Sequence, residues 1–253
     1  MQKTMVRDLT KEPVVPLLFR FAMPLFVSNA LQAVYNIVDM VVVGQALGQP
    51  GMSAVSIGGD ILHLLTFIAM GFSSAGQVII ARAVGEGRQK DIRKTIGTMF
   101  TLLMGAAVGI AVLCFILRGS VLRWLNTPAE SLSFTMDYMV TCIVGLPFIY
   151  GYNIVSAILR GMGDSKRPFV FIAVAAVLNI ALDLLFVIGL DMKAFGAALA
   201  TVIGQGVSFV ASLVYLYRRR EAFGFDFRPA SFRVDPVAFR RLMALGIPMA
   251  IQS

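Results

Sequence analysis

One stretch of the sequence decides the fold class: PFVFIAVAAVLNIALDLLFVIGL, residues Pro168–Leu190. Its 23 residues include one charged side chain, that of Asp183. About 20 apolar residues of helix cross the roughly 30 Å hydrocarbon core of a bilayer, so the stretch is long enough to span a membrane. We expect a helix because lipid offers no hydrogen-bond partner to exposed backbone groups. A transmembrane barrel would instead show alternating segments of about 10 residues.

The composition of the whole chain also indicates a membrane protein. Of 253 residues, 58% are hydrophobic and 14% are charged, and the mean hydropathy is +0.81. Soluble domains carry about 25% charged residues, and disordered chains are far more polar. A net charge of +8 could indicate a nucleic-acid partner, but such binding needs basic residues clustered on a soluble face, so we expect none. Cys114 and Cys142 lie in apolar stretches and predict no disulfide framework.

Further charge-free runs predict the remaining helices. We expect six membrane-spanning helices, at about 14–43, 58–82, 94–117, 133–159, 168–189 and 194–217. Another apolar run begins at Leu242 and continues to Ser253. The predicted fold is therefore an all-α integral membrane protein. A six-transmembrane-helix bundle occupies residues 1–217, a cytoplasmic linker occupies 218–240, and a truncated seventh helix begins at 241–253.

The distribution of basic residues predicts the orientation. All of the 22 Lys and Arg residues except Arg118, Arg123 and Lys193 fall on the side of the predicted helices that holds the N-terminus. The positive-inside rule therefore places the N-terminus and the 218–240 linker in the cytoplasm. We expect a multi-pass protein of the plasma (inner) membrane, in contact with the lipid bilayer.

The seventh apolar run resembles the first. Residues Ala22–Ser28 read AMPLFVS, and residues Gly246–Gln252 read GIPMAIQ. In both, basic and apolar residues precede a small residue followed two positions later by proline. Six helices separate the two copies, so a repeat would have parallel topology. The sequence therefore predicts that the chain enters a second half, and that a C-terminal lobe of the same protein is its partner.

Carboxylates inside the predicted spans are the candidates for function. Asp39 and Asp183 lie about 6 Å and 9 Å from the outer ends of their helices, where an intramembrane charge is costly and commonly functional. Asn179 shares a helical face with Asp183, and Thr201 lies about 9 Å from the outer end of the sixth helix. Such oxygen ligands suit a proton or Na⁺. The alternative is that the carboxylates lie near the interface and reach water.

Other polar or unusual residues have structural interpretations. Asp60, His63 and Asp137 lie near predicted span ends, and His63 is the only histidine, which excludes a histidine-rich metal site. Pro24 and Pro147 interrupt predicted helices, as hinges or as static bends. The patterns GxxxxGK[ST], HExxH and GxSxG do not occur. We therefore expect no enzyme, and an ion gradient rather than ATP as the energy source.

Several of these motifs together resemble the multidrug and toxic compound extrusion (MATE) family of secondary transporters. The resemblance covers essentially the whole chain. It is carried by Pro24 with Asp39 fifteen residues later, ARAVGEGR at Ala81–Arg88, LRGMGDSKRP at Leu159–Pro168, and Asn179-xxx-Asp183 followed by Thr201.

The resemblance implies an architecture and roles for particular residues. Family members are twelve-helix proteins with two six-helix lobes around a central cleft, so this chain would be the N-terminal lobe plus the start of helix 7. The implied cation-coupling residues are Asp39, Asn179, Asp183 and Thr201, which would bind H⁺ or Na⁺, with no other metal or cofactor. The implied helix-1 bend is at Pro24, and the implied substrate-cavity residues are Gln32, Tyr138 and Asn153.

The resulting hypothesis is a secondary active efflux transporter. It would couple entry of H⁺ or Na⁺ to export of drugs or toxic organic compounds by alternating access. Its substrates would be small organic molecules, amphipathic or cationic. Two alternatives remain open: a lipid-linked glycan flippase of a related fold, and a non-transport membrane protein such as an accessory subunit.

Overall fold

The chain folds into a bundle of long helices. The computed structural model describes the backbone of residues 14–252 and the side chains of residues 19, 22–24, 26–221 and 224–252. Residues 1–13, which precede the first predicted span and include the N-terminus predicted to be cytoplasmic, lie outside the described residues. No strand occurs between residues 14 and 252. The helices are α1 (Val14–Gly85), α2 (Gln89–Trp124), α3 (Leu132–Gly161), α4 (Lys166–Asp183) with a π-helical continuation (Leu184–Gly189), α5 (Lys193–Arg218), α6 (Arg220–Phe223), a 3-10 turn (Pro229–Phe232) and α7 (Pro236–Gln252).

Helix α1 supplies two membrane spans. Its 72 residues correspond to about 108 Å of helix, more than three times the hydrocarbon thickness. The backbone leaves helical dihedrals at Gly48 (φ 66°, ψ −153°), a conformation that glycine adopts without steric penalty. The helix therefore divides into a first arm, residues 14–47, and a second arm, residues 49–85.

The five long apolar helices therefore account for six spans. Each of α1 to α5, with the π-helical continuation of α4, is long and apolar enough to cross a membrane. Together with the doubled length of α1, this confirms the prediction of an all-α membrane fold. Hydropathy predicted a connection between two spans at residues 44–57. In the structure, these residues are helical on both sides of Gly48. Hydropathy locates the part of a helix that lipid favours and not the residue at which hydrogen bonding stops.

Helix α3 lies at the centre of the bundle, where it is buried along most of its length. Helix α5 approaches α3 closely at two glycines of α3. Gly145 faces Val202 of α5, and Gly151 faces Phe209 of the same helix. Small residues at such crossings permit the van der Waals contact that holds membrane helices together. The second arm of α1 and α2 complete the main apolar core around Tyr150.

Helix α7 is already docked on the bundle. Gly71 of the second arm of α1 lies against the backbone of Ala250, and Gly246 of α7 lies against the Phe72 ring. The helix begins at Pro236, because the Asp235 carboxylate caps it by accepting hydrogen bonds from the amides of Val237 (3.1 Å) and Ala238 (3.0 Å). The predicted linker 218–240 thus contains the first residues of α7.

Candidate cation site

The four predicted cation-coupling residues come from three helices and are all buried. Asp39 lies on the first arm of α1, Asn179 and Asp183 lie on α4, and Thr201 lies on α5. The exposed fractions are 3% for Asp39, 3% for Asn179, 0% for Asp183 and 8% for Thr201. Asn179 Nδ2 donates a hydrogen bond to Thr201 Oγ1 at 3.3 Å, which joins α4 to α5.

Several acceptor oxygens in this cluster lack a hydrogen-bond donor. They are Asp39 Oδ1, Asn179 Oδ1 and both carboxylate oxygens of Asp183, all of them buried. A buried acceptor without a donor costs about 1–3 kcal/mol, and more if it is charged. Because the Asn179 amide nitrogen is turned toward Thr201, its oxygen is left for another ligand. The cluster is therefore rich in acceptors and poor in donors.

The local backbone places Asp183 at a change of helix type. Asp183 ends α4, and residues Leu184–Gly189 continue as a π-helix in which the Leu190 amide bonds the Leu185 carbonyl at 2.9 Å. Short π segments within helices commonly occur at functional sites because they alter which face the following residues present. Tyr138 of α3 supplies the side chain within hydrogen-bonding reach of Asp39.

The chemistry of the donor atoms limits what the cluster could hold. Carboxylate, amide and hydroxyl oxygens bind protons and hard cations such as Na⁺, whereas transition metals favour imidazole and thiolate. Over the residues that the structure describes, no group of three or more His, Cys, Asp and Glu side chains is placed to hold a metal ion. The residues present therefore fit a proton or Na⁺.

A cavity of about 410 Å³ adjoins the cluster. It is lined by Asp39 and Thr201, so two of the cation-site residues also face the cavity. The three predicted cavity residues, Gln32, Tyr138 and Asn153, lie on its wall. Asn153 Nδ2 is held by the Ile149 carbonyl at 2.8 Å.

Sequence reasoning missed other residues of the cavity wall. Asp60 and His63 line it, although their position near a predicted span end favoured a structural role. The second arm of α1 begins at residue 49, so both residues lie well within a helix and, three positions apart, on one of its faces. Arg160 also lines the cavity because α3 extends to Gly161. The signal was available in the i, i+3 spacing of the two titratable residues.

Pro24 keeps helical backbone dihedrals, since the break within α1 falls at Gly48. Ser28 Oγ donates a hydrogen bond to the Pro24 carbonyl at 2.7 Å, and Ser28 lines the cavity. Pro147 lies inside α3, between Gly145 and Gly151, where that helix packs on α5. The predicted bend at Pro24 remains a prediction.

Comparison with known proteins identifies the family. The family model described as MatE matches residues 24–185, well over half of the chain. This chain belongs to the MatE family. The resemblance seen in the sequence motifs is thereby confirmed. The match begins at Pro24 and includes Asp39, Asn179 and Asp183, whereas Thr201 lies beyond it.

Individual relatives agree with this assignment. The chain is 34% identical over 214 residues to the probable multidrug resistance protein YpnP of Bacillus subtilis, covering 84% of this chain and 48% of that protein. It is 25% identical over 214 residues to the multidrug export protein MepA of Staphylococcus saprophyticus, covering 83% and 47%. The chain spans about half the length of these relatives.

A solved structure shows the same fold. An outward-facing multidrug resistance MATE family transporter of the MOP superfamily superposes with a TM-score of 0.86 at 22% identity, covering 98% of this chain and 54% of that one. This MatE-family chain is therefore a multi-pass membrane protein, with the fold of about half of that transporter.

Proposed function

We propose that this chain is the N-terminal lobe, with the start of helix 7, of a cation-coupled efflux transporter. The fold and the relatives named for multidrug resistance and export support this proposal. A second six-helix lobe would complete the central cleft, and the molecule would work by transport and not by catalysis. In the proposed orientation the N-terminus and the linker face the cytoplasm and the protein lies in the plasma membrane, as the basic residues favour.

The observation that carries the proposal is the set of buried acceptor oxygens without donors. Asp39, Asn179 and Asp183 supply four such oxygens, and Thr201 holds the amide of Asn179 in place. A proton would convert one carboxylate oxygen into a donor, and Na⁺ would take several oxygens as ligands. Either cation removes the unfavourable burial, so binding of the cation and closure of the site are coupled.

Coupling to a substrate follows from the position of Asp39. This side chain belongs to the cation site and also faces the cavity, so a cationic group in the cavity would compete with H⁺ or Na⁺ for the same carboxylate. Competition of this kind is the requirement for antiport. One positive charge entering across 100 mV supplies about 2.3 kcal/mol. Cation loading would act on the first arm of α1, where Pro24 is the proposed bend, and so bias the lobes between inward- and outward-open states.

The cavity wall indicates the class of substrate. Tyr35 and Tyr138 present aromatic rings, Met40 and Met70 are adaptable apolar side chains, and Asp39 adds a negative charge. Aromatic faces and carboxylates attract cations, and methionines fit irregular apolar shapes. Small amphipathic cations are therefore the proposed substrates.

Ethidium efflux tests the proposal. Cells lacking their main drug pumps would express the whole coding sequence that contains this chain, as wild type, Asp39→Asn or Asp183→Asn. Because each variant loses a carboxylate of the cation site, efflux should fall at least tenfold. Asp137→Asn, an exposed carboxylate on α3, is the matched control and should leave efflux unchanged. Wild-type efflux in both Asp39→Asn and Asp183→Asn would refute the coupling assignment.

The same cells distinguish the coupling ion. If the ion is H⁺, efflux should continue in sodium-free medium and should stop when a protonophore collapses both the pH gradient and the membrane potential. If the ion is Na⁺, efflux should be absent in sodium-free medium and should return when Na⁺ is added outside, even with the protonophore present. Efflux that depends on neither the proton gradient nor the sodium gradient would contradict secondary active transport.

A further inference from the structure

Arg160 places a permanent positive charge on the wall of the cavity, at the opposite end from Asp39. It lies in the last turn of α3, where its Nε donates a hydrogen bond to Gln77 Oε1 of α1 at 2.9 Å. Tyr138, the neighbour of Asp39, is 22 residues away on the same helix, which corresponds to about 33 Å. Arg160 is therefore out of reach of the Asp39 carboxylate.

Arg160 has no anionic partner within the part of the chain that the structure describes. Among the residues that the structure describes, its guanidinium forms no ion pair, and its one hydrogen-bond partner is the neutral side chain of Gln77. Arginine stays protonated and presents five N–H donors in a planar fork that matches carboxylate and phosphate oxygens. An arginine on the wall of a cavity in a membrane lobe, without an ion-pair partner among the described residues, has the chemistry of an anion site.

Ser156 provides a second, independent observation. It lies one helical turn before Arg160, on the same face of α3, and it also lines the cavity. Its side chain is 2% exposed, and Ser156 Oγ makes no hydrogen bond of standard geometry, although the Tyr152 hydroxyl is its neighbour. The Tyr152 hydroxyl itself donates to the Pro168 carbonyl at 2.9 Å. The Ser156 hydroxyl is thus an unused donor beside the arginine.

The position of this pair is fixed by close helix packing. Gly161 follows Arg160, and a Cβ added there would lie 2.9 Å from the Gln77 backbone oxygen and 3.0 Å from Ile80 Cβ. The crossing of α3 and α1 therefore sets where the guanidinium can lie. A preorganised donor loses less entropy on binding an anion than a mobile one does.

We propose that Arg160 and Ser156 form a recognition site for an oxyanion, a carboxylate or a phosphate group, at the cytoplasmic end of the cavity. The proposal deepens the efflux function and rests on it for the role of the cavity as a substrate path. Molecules that carry both a cationic and an anionic group would meet Arg160 on loading and Asp39 further out. The anionic group can belong to a soluble organic substrate or to a lipid headgroup.

Equilibrium binding to the purified full-length protein tests the proposal with a matched pair of dyes. Tetramethylrhodamine carries a free carboxylate, and its methyl ester has the same chromophore with that carboxylate blocked. Fluorescence anisotropy gives the Kd of each. Wild type should bind the acid more tightly than the ester. Arg160→Gln should weaken binding of the acid about tenfold, because a charge-assisted hydrogen bond is lost, and leave the ester within twofold.

Three further variants keep the test decisive. Arg160→Lys retains the charge and should lie between wild type and Arg160→Gln. Ser156→Ala should weaken binding of the acid about threefold and leave the ester unchanged. Arg167→Gln is the matched control, since its guanidinium lies over the Tyr215 ring and outside the cavity wall. Equal weakening of acid and ester by Arg160→Gln, or no preference of wild type for the acid, would overturn the proposal.

Added phosphatidylglycerol distinguishes the two sources of the anion. If a lipid headgroup occupies the site, this lipid should displace the acid from wild type and not from the small remaining binding of Arg160→Gln. If the anion is that of a soluble substrate, the lipid should not compete. Efflux is measured separately with ethidium, which has no anionic group, so failure of transport and failure of anion recognition give different results.

Discussion

Two regions of this molecule differ in whether their aspartate carboxylates have hydrogen-bond or ionic partners. In the cation site, Asp39 and Asp183 are buried among helices, and Asp39 Oδ1 and both carboxylate oxygens of Asp183 have no donor. In the linker, residues 219–235 between α5 and α7, Asp226 is bound by Arg93 and Ser231, and Asp235 pairs with Lys94 at 2.8 Å. The difference separates two uses of a carboxylate: an unpaired buried one favours binding of a ligand, and a paired surface one holds two elements together.

The linker is held by an aromatic cluster as well as by charge. Phe225 is 1% exposed and packs edge to face against Phe227 at 4.9 Å and Phe232 at 5.4 Å between ring centres. Phe100 of α2 contacts the same cluster, and Thr101 donates a hydrogen bond to the Phe232 carbonyl. A segment that the sequence presents as a polar connection is thus docked on α2.

Removing the centre of the aromatic cluster should have the largest effect on stability. Phe225→Ala leaves a cavity between the linker and α2, and burial of a phenylalanine of this kind contributes about 3–5 kcal/mol. We expect a marked fall in the thermal unfolding temperature and rapid trypsin cleavage at the linker arginines. Trp124→Ala, at a residue that is 76% exposed, is the control and should change neither. Equal effects of the two variants would contradict docking of the linker.

A larger side chain between the linker and α2 should have the next largest effect on stability. The Ser231 carbonyl lies where a side chain at Gly97 would be, so Gly97→Leu should displace the linker at a cost of about 1–3 kcal/mol. Gly105→Leu, on the same helix with open space around it, is the control. Trypsin cleavage of the linker should rise in the first variant alone. If the linker resists trypsin in both variants, the close approach at Gly97 is not needed to hold the linker on α2.

Mutation of the cation site should raise thermal stability, whereas the mutations at the linker should lower it. Asp183→Asn removes a buried carboxylate that has no donor, so we expect thermal stability to rise by about 1–3 kcal/mol while efflux is lost. Asp226→Asn, its counterpart in the linker, should lower stability because it breaks an interaction that is made. Thermal unfolding of the two purified variants in sodium-free buffer gives the comparison. Loss of stability in both would remove the distinction between the regions.

The smallest expected effect is the pH dependence of the linker. The Ser231 hydroxyl and the Arg93 guanidinium lower the pKa of Asp226 from its ordinary value of 3.8 to about 2. Because the folded pKa is depressed, the stabilisation is complete above about pH 4 and is lost as the pH falls through about 2. The difference in unfolding temperature between wild type and Asp226→Asn should stay constant from pH 7 to 4 and then decline. A decline near pH 6 would exclude Asp226 as its cause.

The predictive value of the sequence differed between these regions. In the membrane, Asp183 was conspicuous because a charge within an apolar run is costly, and Asn179 followed from helical spacing. In the linker, the capping signal Asp235–Pro236 was present in the sequence, yet hydropathy placed the start of the last helix at 241. Docking of Phe225 on α2 could not be foreseen, since it joins residues more than 120 positions apart.

The sequence by itself determined the all-α membrane fold, the number of spans and the intramembrane polar residues. These depend on local transfer free energy, which each segment carries with it. Only the tertiary structure decided that helix runs on either side of Gly48, that Asp60, His63 and Arg160 share a cavity wall with Asp39, and that the linker is fastened to α2. These facts depend on which faces of distant helices meet, and packing between helices, unlike hydropathy, is not a property of any one segment.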